Sequence, residues 1–248
     1  MKAIILCAGY AIRLYPLTEN MPKALLPIKN KPLLSYTIER LEKIKDIDRI
    51  YIVTNNIFYN NFIEWKNNSK FTKEIKIIND ETTSNENRLG GIGDLNLVIE
   101  KEKLNEDILV ILGDNLFDFN LKSMIELFKK SKETILGIYE MQKIPKSQKL
   151  GIVKIKNSRV ISIKEDYVNE ESNLISTGLY IFSKSDIGRI KEYMQTNKSK
   201  EGPGFLIQDW LSSKEIHAFV LQGNWFDIGT KEVYEDVNKN WNDSSLRA

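Results

Sequence analysis

Cysteine, histidine and net charge are all scarce in this 248-residue chain. The single Cys7 excludes an internal disulfide and a cysteine-built zinc site, and it suits a reducing cytoplasm. Lying in an apolar run, it reads as a small core residue. The single His217 also lies in an apolar stretch, so a Ser-His-Asp hydrolase would have only that one residue to be built around. Basic and acidic side chains number 36 and 34, a net charge of +2. Nothing global therefore attracts nucleic acid or an anionic membrane, and any anion must be held by a local site. No apolar run approaches about 18 residues, and the N-terminus lacks the basic, apolar and small-residue order of a signal peptide. The expectation is a cytoplasmic protein with no membrane contact. No GxGxxG follows the first apolar run, and the second ends in Thr54-Asn55 instead of an acid, which disfavours a dinucleotide-binding oxidoreductase.

Proline is scarce as well, but it is concentrated. Four of the six prolines, Pro16, Pro22, Pro27 and Pro32, fall in the stretch after the first apolar run, Ala3 to Cys7. The run reads as a buried strand that empties through Ala8 and Gly9 into a loop. The prolines predict that this loop runs extended. It carries Arg13 and Lys23 beside the carboxyl end of the first strand, where open α/β sheets place their ligands. A phosphate site is the first hypothesis. Gly9 supports it, since backbone N–H groups approach a phosphate closely where no Cβ intervenes.

Further along, apolar runs alternate with amphipathic ones. Leu33 to Lys45, Ile57 to Asn67 and Ile92 to Lys103 read as helices, and Arg49 to Thr54, Ile75 to Asn79 and Asp107 to Gly113 as strands. This βαβ pattern implies an α/β fold: a mostly parallel sheet with helices on both faces. In the second half short strands follow one another (TILGIYE, GIVKIK, RVISI, LISTGLYIF), with Asn157-Ser158 as a hairpin turn. Helices near Ser185 to Gln195 and Gly204 to Ser212, a strand near Ile216 to Leu221 and a helix from Lys231 complete the chain. Thr230 is placed to cap that last helix. No linker, repeat or low-complexity tract breaks it, so a single domain is expected over 1–248.

Two carboxylates stand out. Asp114, in Gly113-Asp114-Asn115, follows a buried strand and should share the sheet edge with Arg13 and Lys23. A carboxylate among phosphate-binding cations makes sense if a divalent cation lies between, and Mg²⁺ accepts one or two carboxylates plus phosphate oxygens. Asp227 sits in WFDIGT, walled by aromatic residues, where an unpaired buried carboxylate would be costly and a shared metal would answer the cost. A third element, Asn87 to Asp94, brings three glycines to a helix start and offers backbone donors to a base or ribose.

Taken in order, these motifs resemble the sugar-1-phosphate nucleotidyltransferase family. Its opening signature appears here as AGYAIRLYPLT, then Pro22-Lys23 and Lys31-Pro32. The similarity continues through LGGIGDL, LGDN, LGIVKI, STGLYIF and NWFDIGT, across nearly the whole chain. The resemblance implies a three-layer α/β/α, Rossmann-like sheet, with a nucleotide-binding half over about 1–115 and an antiparallel acceptor-binding half over about 116–248. It implies that Arg13, Lys23 and Asp114 carry catalysis and that Leu6, Ala8, Gly9 and Gly90 join them in binding the nucleotide. Gly151, Glu165, Asp166 and Thr177 would bind the acceptor, and Asp114 and Asp227 would hold Mg²⁺. The partners would be a nucleoside triphosphate and a small phosphorylated acceptor, and the product a nucleotide-activated precursor for surface polysaccharide. The oligomeric state is left open, a homo-oligomer included. The chain stops after the last helix, so the β-helical domain of some relatives is expected to be absent.

The departures from the family signature are informative. Ala11 and Ile12 replace a glycine and a threonine, which removes a hydroxyl from the phosphate loop. The family's Glu-Lys-Pro, which grips the sugar and its phosphate, reads Glu165-Asp166-Tyr167 here. An aspartate next to an anionic phosphate is unfavourable by more than about 1 kcal/mol where the pair is close and partly desolvated. Lys164 is the replacement that a one-residue register shift would supply. A cytidylyltransferase acting on a choline-like, aminoalkyl or amino-acid phosphate would instead pair Asp166 with an ammonium. A catalytically silent nucleotide-binding subunit of the same fold is the alternative from another class. The joint presence of Arg13, Lys23, Asp114 and Asp227 argues against it.

Overall fold

The computed structural model describes residues 1–142, 150–167 and 172–242, leaving aside the side chains of Asp166 and Tyr167. The chain opens with β1 (Lys2–Leu6), makes single 3-10 turns at Ile12–Leu14 and Lys23–Leu25, and forms a small hairpin from β2 (Pro27–Ile28) and β3 (Lys31–Pro32). There follow α1 (Leu33–Glu42), β4 (Arg49–Thr54), α2 (Tyr59–Asn68), β5 (Glu74–Asn79), α3 (Gly90–Lys101), β6 (Ile108–Leu112), β7 (Asn115–Phe117) and α4 (Lys122–Ser131). Next come β8 (Ile135–Glu140), β9 (Leu150–Lys156), β10 (Arg159–Tyr167), β11 (Leu174–Phe182), α5 (Asp186–Met194) and α6 (Gly204–Trp210). The last elements are β12 (His217–Val220), β13 (Trp225–Asp227) and α7 (Lys231–Asn240).

One mixed sheet runs through both halves in the order β5-β4-β1-β6-β11-β8-β12-β10-β9. The strands from β5 to β6 are parallel, as their continuous apolar runs demand, because such strands are buried on both faces. From β11 onward most pairings are antiparallel, β8 with β12 being the parallel exception. The turn between β9 and β10 puts Asn157 and Ser158 at φ 51° and 59°, the conformation a two-residue hairpin turn requires.

Strand alternation divides the core. Ala3 and Ile5 of β1 face one layer, which α1, α2 and α4 cover with Leu34, Ile38, Phe62, Trp65, Met124 and Phe128. Ile4 and Leu6 face the other, covered by α3, α5 and α6 through Leu95, Val98, Ile190, Leu206 and Trp210. A third, smaller cluster lies beyond the sheet, where Tyr234, Val237 and Trp241 at the C-terminal end pack on Leu14, Leu26 and Ile28 of the opening loop. Tyr234 Oη also donates to the Pro27 carbonyl at 2.9 Å. The last helix thus clamps the cationic arm.

That arm corrects the sequence reading. It is not simply extended: it folds into the two 3-10 turns and the β2–β3 hairpin. Pro22, at φ −65°, stands at the head of the second turn, where its locked φ starts a turn as readily as an extended run.

Candidate active site

Two strands set the geometry. In the register of β1 with β6, Leu6 lies opposite Leu112, so the loop after Leu6 and the Gly113-Asp114 corner leave the sheet side by side. The Gly113 N–H donates to the Leu6 carbonyl at 2.9 Å. A Cβ on Gly113 would lie 2.2 Å from Cys7 Sγ, so glycine is what lets the corner close against the loop. Cys7 is buried, and burial pushes its thiol well above the ordinary range, in keeping with a core residue. Fully buried Asn55, just past β4, donates to the Ala8 carbonyl at 3.0 Å and anchors the loop from the other side.

Above this edge opens a cleft of about 510 Å³, lined among others by Leu6, Ala8, Gly9, Arg13, Lys23, Gly90 and Asp114. Every residue expected to contact a nucleotide therefore faces one cavity. Lys23 Nζ donates to Asp114 Oδ2 at 2.7 Å. Burial disfavours the Lys23 ammonium, but Asp114 and Asp227 beside it hold its pKa above that of an ordinary lysine.

A smaller pocket of about 110 Å³ adjoins the cleft and shares Leu112 and Asp114 with it. Gly151, Glu165, Thr177 and Asp227 line it, together with Tyr180 and Trp225. The two-stranded sheet of β7 and β13 brings Asp227 here, with Asp227 opposite Asn115 and the Ile228 N–H on the Asp114 carbonyl at 3.1 Å. The two aspartates thus meet although 113 positions separate them in the chain. Asp227 Oδ1 is buried with no hydrogen-bond partner. Burial and neighbouring Asp114 push the Asp227 carboxyl up to about 6, against the opposing pull of Lys23 and Arg13. A buried carboxylate lacking a donor, next to a second carboxylate, is a donor set that a hard divalent cation satisfies with oxygen ligands.

Glu165 occupies space that two glycines leave open. A Cβ on Gly204 would fall 1.5 Å from Glu165 Oε1, and one on Gly151 would fall 2.8 Å from the same atom. The carboxylate therefore sits in a slot between two glycines. Thr177 is buried, and its hydroxyl donates to the Gly137 carbonyl at 2.8 Å, so only lone pairs remain for a ligand. The Asp166 side chain lies outside the described residues. Lys164, which a register shift would put in that place, is exposed and does not line the smaller pocket.

The glycines at the start of α3 do a different job from the one expected. The Gly91 and Ile92 N–H groups donate to the carbonyls of Glu201 and Lys200, at 2.8 and 2.9 Å. Those two donors are spent on the chain. Gly90, at φ +76°, also permits this contact, since a Cβ there would lie 2.4 Å from the Lys200 oxygen. Arg88 reinforces it through an ion pair with Glu201 at 2.8 Å, and both residues line the cleft. His217 lines neither cavity and pairs with Glu133 at 2.7 Å. Sequence reasoning gave no role to Asn55, Arg88, Tyr180 or Gly204, and Trp225 entered it only as part of the aromatic wall beside Asp227. Only Trp225 carried a signal, its place two residues before Asp227.

A buried pair of carboxyls borders the larger cleft. Asp94 is 5% exposed and Asp80 7%. Burial and the hydrogen-bonded Asp80 push the Asp94 carboxyl up to about 8, and burial raises Asp80 as well. A carboxyl raised on folding binds a proton in the folded state that the unfolded chain releases above about pH 4. Stability therefore falls as pH rises from about 4 to about 8. Thermal unfolding between pH 5 and 8.5 should show the wild-type Tm dropping by at least about 5 °C more than that of Asp94→Asn, which cannot ionise. Parallel Tm curves would refute the shared proton.

The chain matches the nucleotidyl transferase family over residues 2–244. It is 29% identical over 242 residues to the bifunctional protein GlmU of Methanococcus aeolicus, covering 96% of this chain and 54% of that protein. It is 30% identical over 240 residues to a bifunctional sugar-1-phosphate nucleotidylyltransferase/acetyltransferase of Sulfurisphaera tokodaii, covering 96% and 55%. This chain thus spans about half the length of those relatives. Among solved structures it superposes with a TM-score of 0.81 on a Bacillus anthracis protein provisionally named glucose-1-phosphate thymidylyltransferase, at 25% identity and over 96% of this chain and 94% of that one. With the sheet, the paired cavities and the family match in agreement over nearly its whole length, the chain belongs to the nucleotidyl transferase family.

Proposed function

We propose that the chain works as a single domain that transfers a nucleoside monophosphate from a nucleoside triphosphate to a sugar 1-phosphate, releasing pyrophosphate. One observation carries the reading: the two cavities meet at Asp114, where Lys23 and the unpartnered carboxylate of Asp227 converge. The triphosphate takes the larger cleft and the acceptor the smaller pocket. An acceptor phosphate oxygen forms a bond to the α-phosphorus while the bond from that phosphorus to the bridging oxygen of pyrophosphate breaks. The acceptor is already an anion, so no general base is required, and catalysis reduces to alignment and charge neutralisation. That suits a site with two aspartates, a lysine and an arginine and no histidine. Asp114 and Asp227 hold Mg²⁺, which neutralises charge that builds on the phosphate oxygens. Arg13 and Lys23 bind the triphosphate and stabilise the leaving pyrophosphate. Nucleotide-activated sugars of this kind feed surface polysaccharide assembly, and free triphosphate places the reaction in the cytoplasm.

A second reading keeps the chemistry and changes the acceptor. Among the described residues, the smaller pocket is lined by acids and aromatic rings, with no lysine or arginine. Glu165, Trp225 and Tyr180 would suit an acceptor that carries an ammonium group. Pyrophosphate release across a panel of triphosphates, with sugar 1-phosphates set against phosphocholine and aminoethyl phosphate, separates the two. Turnover with a sugar 1-phosphate is the expected result. Turnover only with an amine-bearing phosphate would move the assignment to the second reading. Nucleotide binding with no turnover on any pair would indicate a silent subunit.

A further inference from the structure

The glycine-rich entry to α3 offers a nucleobase fewer backbone donors than its sequence promises. With the Gly91 and Ile92 N–H groups spent on Glu201 and Lys200, a base entering the larger cleft on this side meets side chains instead. Asn85, Arg88 and Glu201 line the cleft there.

Arg88 is clamped at its edges. Its Nη2 and Nε donate to Glu201 Oε1 and Oε2 at 2.8 and 3.3 Å, and its Nη1 donates to the Asn85 carbonyl at 2.7 Å. Both partners are themselves fixed. Asn85 begins the 3-10 turn Asn85–Asn87, which Ser84 and Asn87 close by reciprocal capping, and the Glu201 carbonyl accepts the Gly91 N–H. All the N–H groups of a guanidinium lie in its plane, so these bonds occupy its edges and leave its faces. The Arg88 side chain is 37% exposed, and the two residues that bracket its guanidinium line the same cleft. Elsewhere the chain covers such faces with its own rings: Arg40 lies 5.5 Å from the centre of the Phe117 ring and Arg189 5.3 Å from that of Trp210. Among the described residues no ring lies over Arg88.

A phosphate is the wrong ligand for this group. Glu201 already matches the Arg88 charge, and its carboxylate would repel a phosphate brought to the same edge. The cations left for the triphosphate are Arg13 and Lys23, near enough for each to act on the other's charge, with Asp114 beside them. Asp114 belongs to both cavities, whereas Arg88 and Glu201 line the larger one alone, so the pair stands away from the junction of the two. What remains of a nucleotide for that wall is its planar, uncharged end.

We propose that Arg88, clamped by Glu201 and the Asn85 carbonyl, is the plate on which the nucleobase of the triphosphate stacks. The inference rests on the larger cleft being the nucleotide site. Every base presents a π-face, and a guanidinium plane stacks on it without reading its edge. Fixing that plane before the base arrives removes the ordering cost that a free arginine would incur on binding. Arg88 therefore contributes affinity for a base, and not a choice among bases.

Isothermal titration of the full chain with ATP, GTP, CTP, UTP, dTTP and inorganic tripolyphosphate, each with Mg²⁺, tests this without requiring turnover. Arg88→Ala should weaken the tightest-binding nucleoside triphosphate by about tenfold or more. Arg88→Lys, which keeps the charge and loses the plane, should weaken it by at least about fivefold. Tripolyphosphate, which has no base, should bind the wild type and both variants within about twofold of one another. Unchanged nucleotide affinity in Arg88→Ala would overturn the inference. So would full affinity in Arg88→Lys, the mark of a charge contact, or a loss for tripolyphosphate equal to that for the nucleotide, the mark of a phosphate contact or a disturbed fold. Should Arg88→Ala fail to fold, Arg88→Lys decides alone. Absence of binding by every nucleoside triphosphate in the wild type would instead fail the nucleotide-site reading, and the role of Arg88 with it.

Discussion

Asp227→Asn should lower turnover by at least about 10²–10³-fold while leaving the fold intact. The substitution keeps the shape of the side chain and removes its charge. In the metal-free protein that charge costs more than it returns: Asp227 Oδ1 has no donor, and burial beside Asp114 holds the carboxyl up at about 6 despite the pull of Lys23 and Arg13. The variant should therefore match or exceed the wild-type Tm without metal at pH 7.5, since a carboxyl raised on folding costs stability once the pH passes above it. Adding Mg²⁺ should separate the two proteins. Wild type gains by mass action from an ion that binds only the folded state, and the variant gains much less. Turnover assays with Tm curves in the presence and absence of Mg²⁺ make the check. An unchanged rate in Asp227→Asn would remove the residue from the reaction. A Tm well below wild type without metal would show that the carboxylate has a structural partner.

Local patterning made the first half of the fold legible. The runs KAIIL, RIYIVT and ILVIL are each too short for a helix and apolar on both faces, and each became a parallel strand. Asn157-Ser158 announced its hairpin because few residue pairs tolerate two successive left-handed conformations. Position at the sheet edge likewise brought out Arg13, Lys23 and Asp114 before any coordinates, since loops after parallel strands share one rim. Less legible was whatever depends on a partner distant in the chain. Strands β7 and β13 have three residues each and no periodicity to betray them, yet their pairing is what carries Asp227 to Asp114. The glycines of LGGIGDL suggested donors aimed at a ligand, but the segment 200–201 had already claimed two of them, and nothing near residue 90 in the sequence records that contact. Asp80 and Asp94 each look like an ordinary surface acid until folding buries them against each other. The prolines misled for a different reason. A φ near −65° excludes little beyond the helix interior, and the turn that Pro22 heads buries Ala24 and Leu25 in the layer that α1 covers.

Gly204→Ala should damage acceptor use specifically. The added methyl would occupy a point 1.5 Å from Glu165 Oε1, an overlap that no relaxation of a few tenths of an ångström resolves. Something has to move. Gly204 begins α6, whose Leu206, Ile207 and Trp210 are packed into the core, whereas the atom in the way is the far end of a flexible side chain. Displacing the Glu165 carboxylate is therefore the cheaper response. Alanine is also the better helix former by up to about 1 kcal/mol, which offsets part of any strain, so the Tm should change little. If Glu165 grips the acceptor through a charge-assisted hydrogen bond, its displacement costs about 1.5–3 kcal/mol, or about 10- to 100-fold in kcat/KM for the acceptor. The Kd for the triphosphate should stay within about twofold, because neither Gly204 nor Glu165 lines the larger cleft. Steady-state kinetics with the acceptor varied at saturating triphosphate, alongside nucleotide titration, distinguish these outcomes. Equal losses in both would mean that α6 had shifted as a body, and an acceptor kcat/KM at the wild-type level would show that the Glu165 carboxylate does not contact the acceptor.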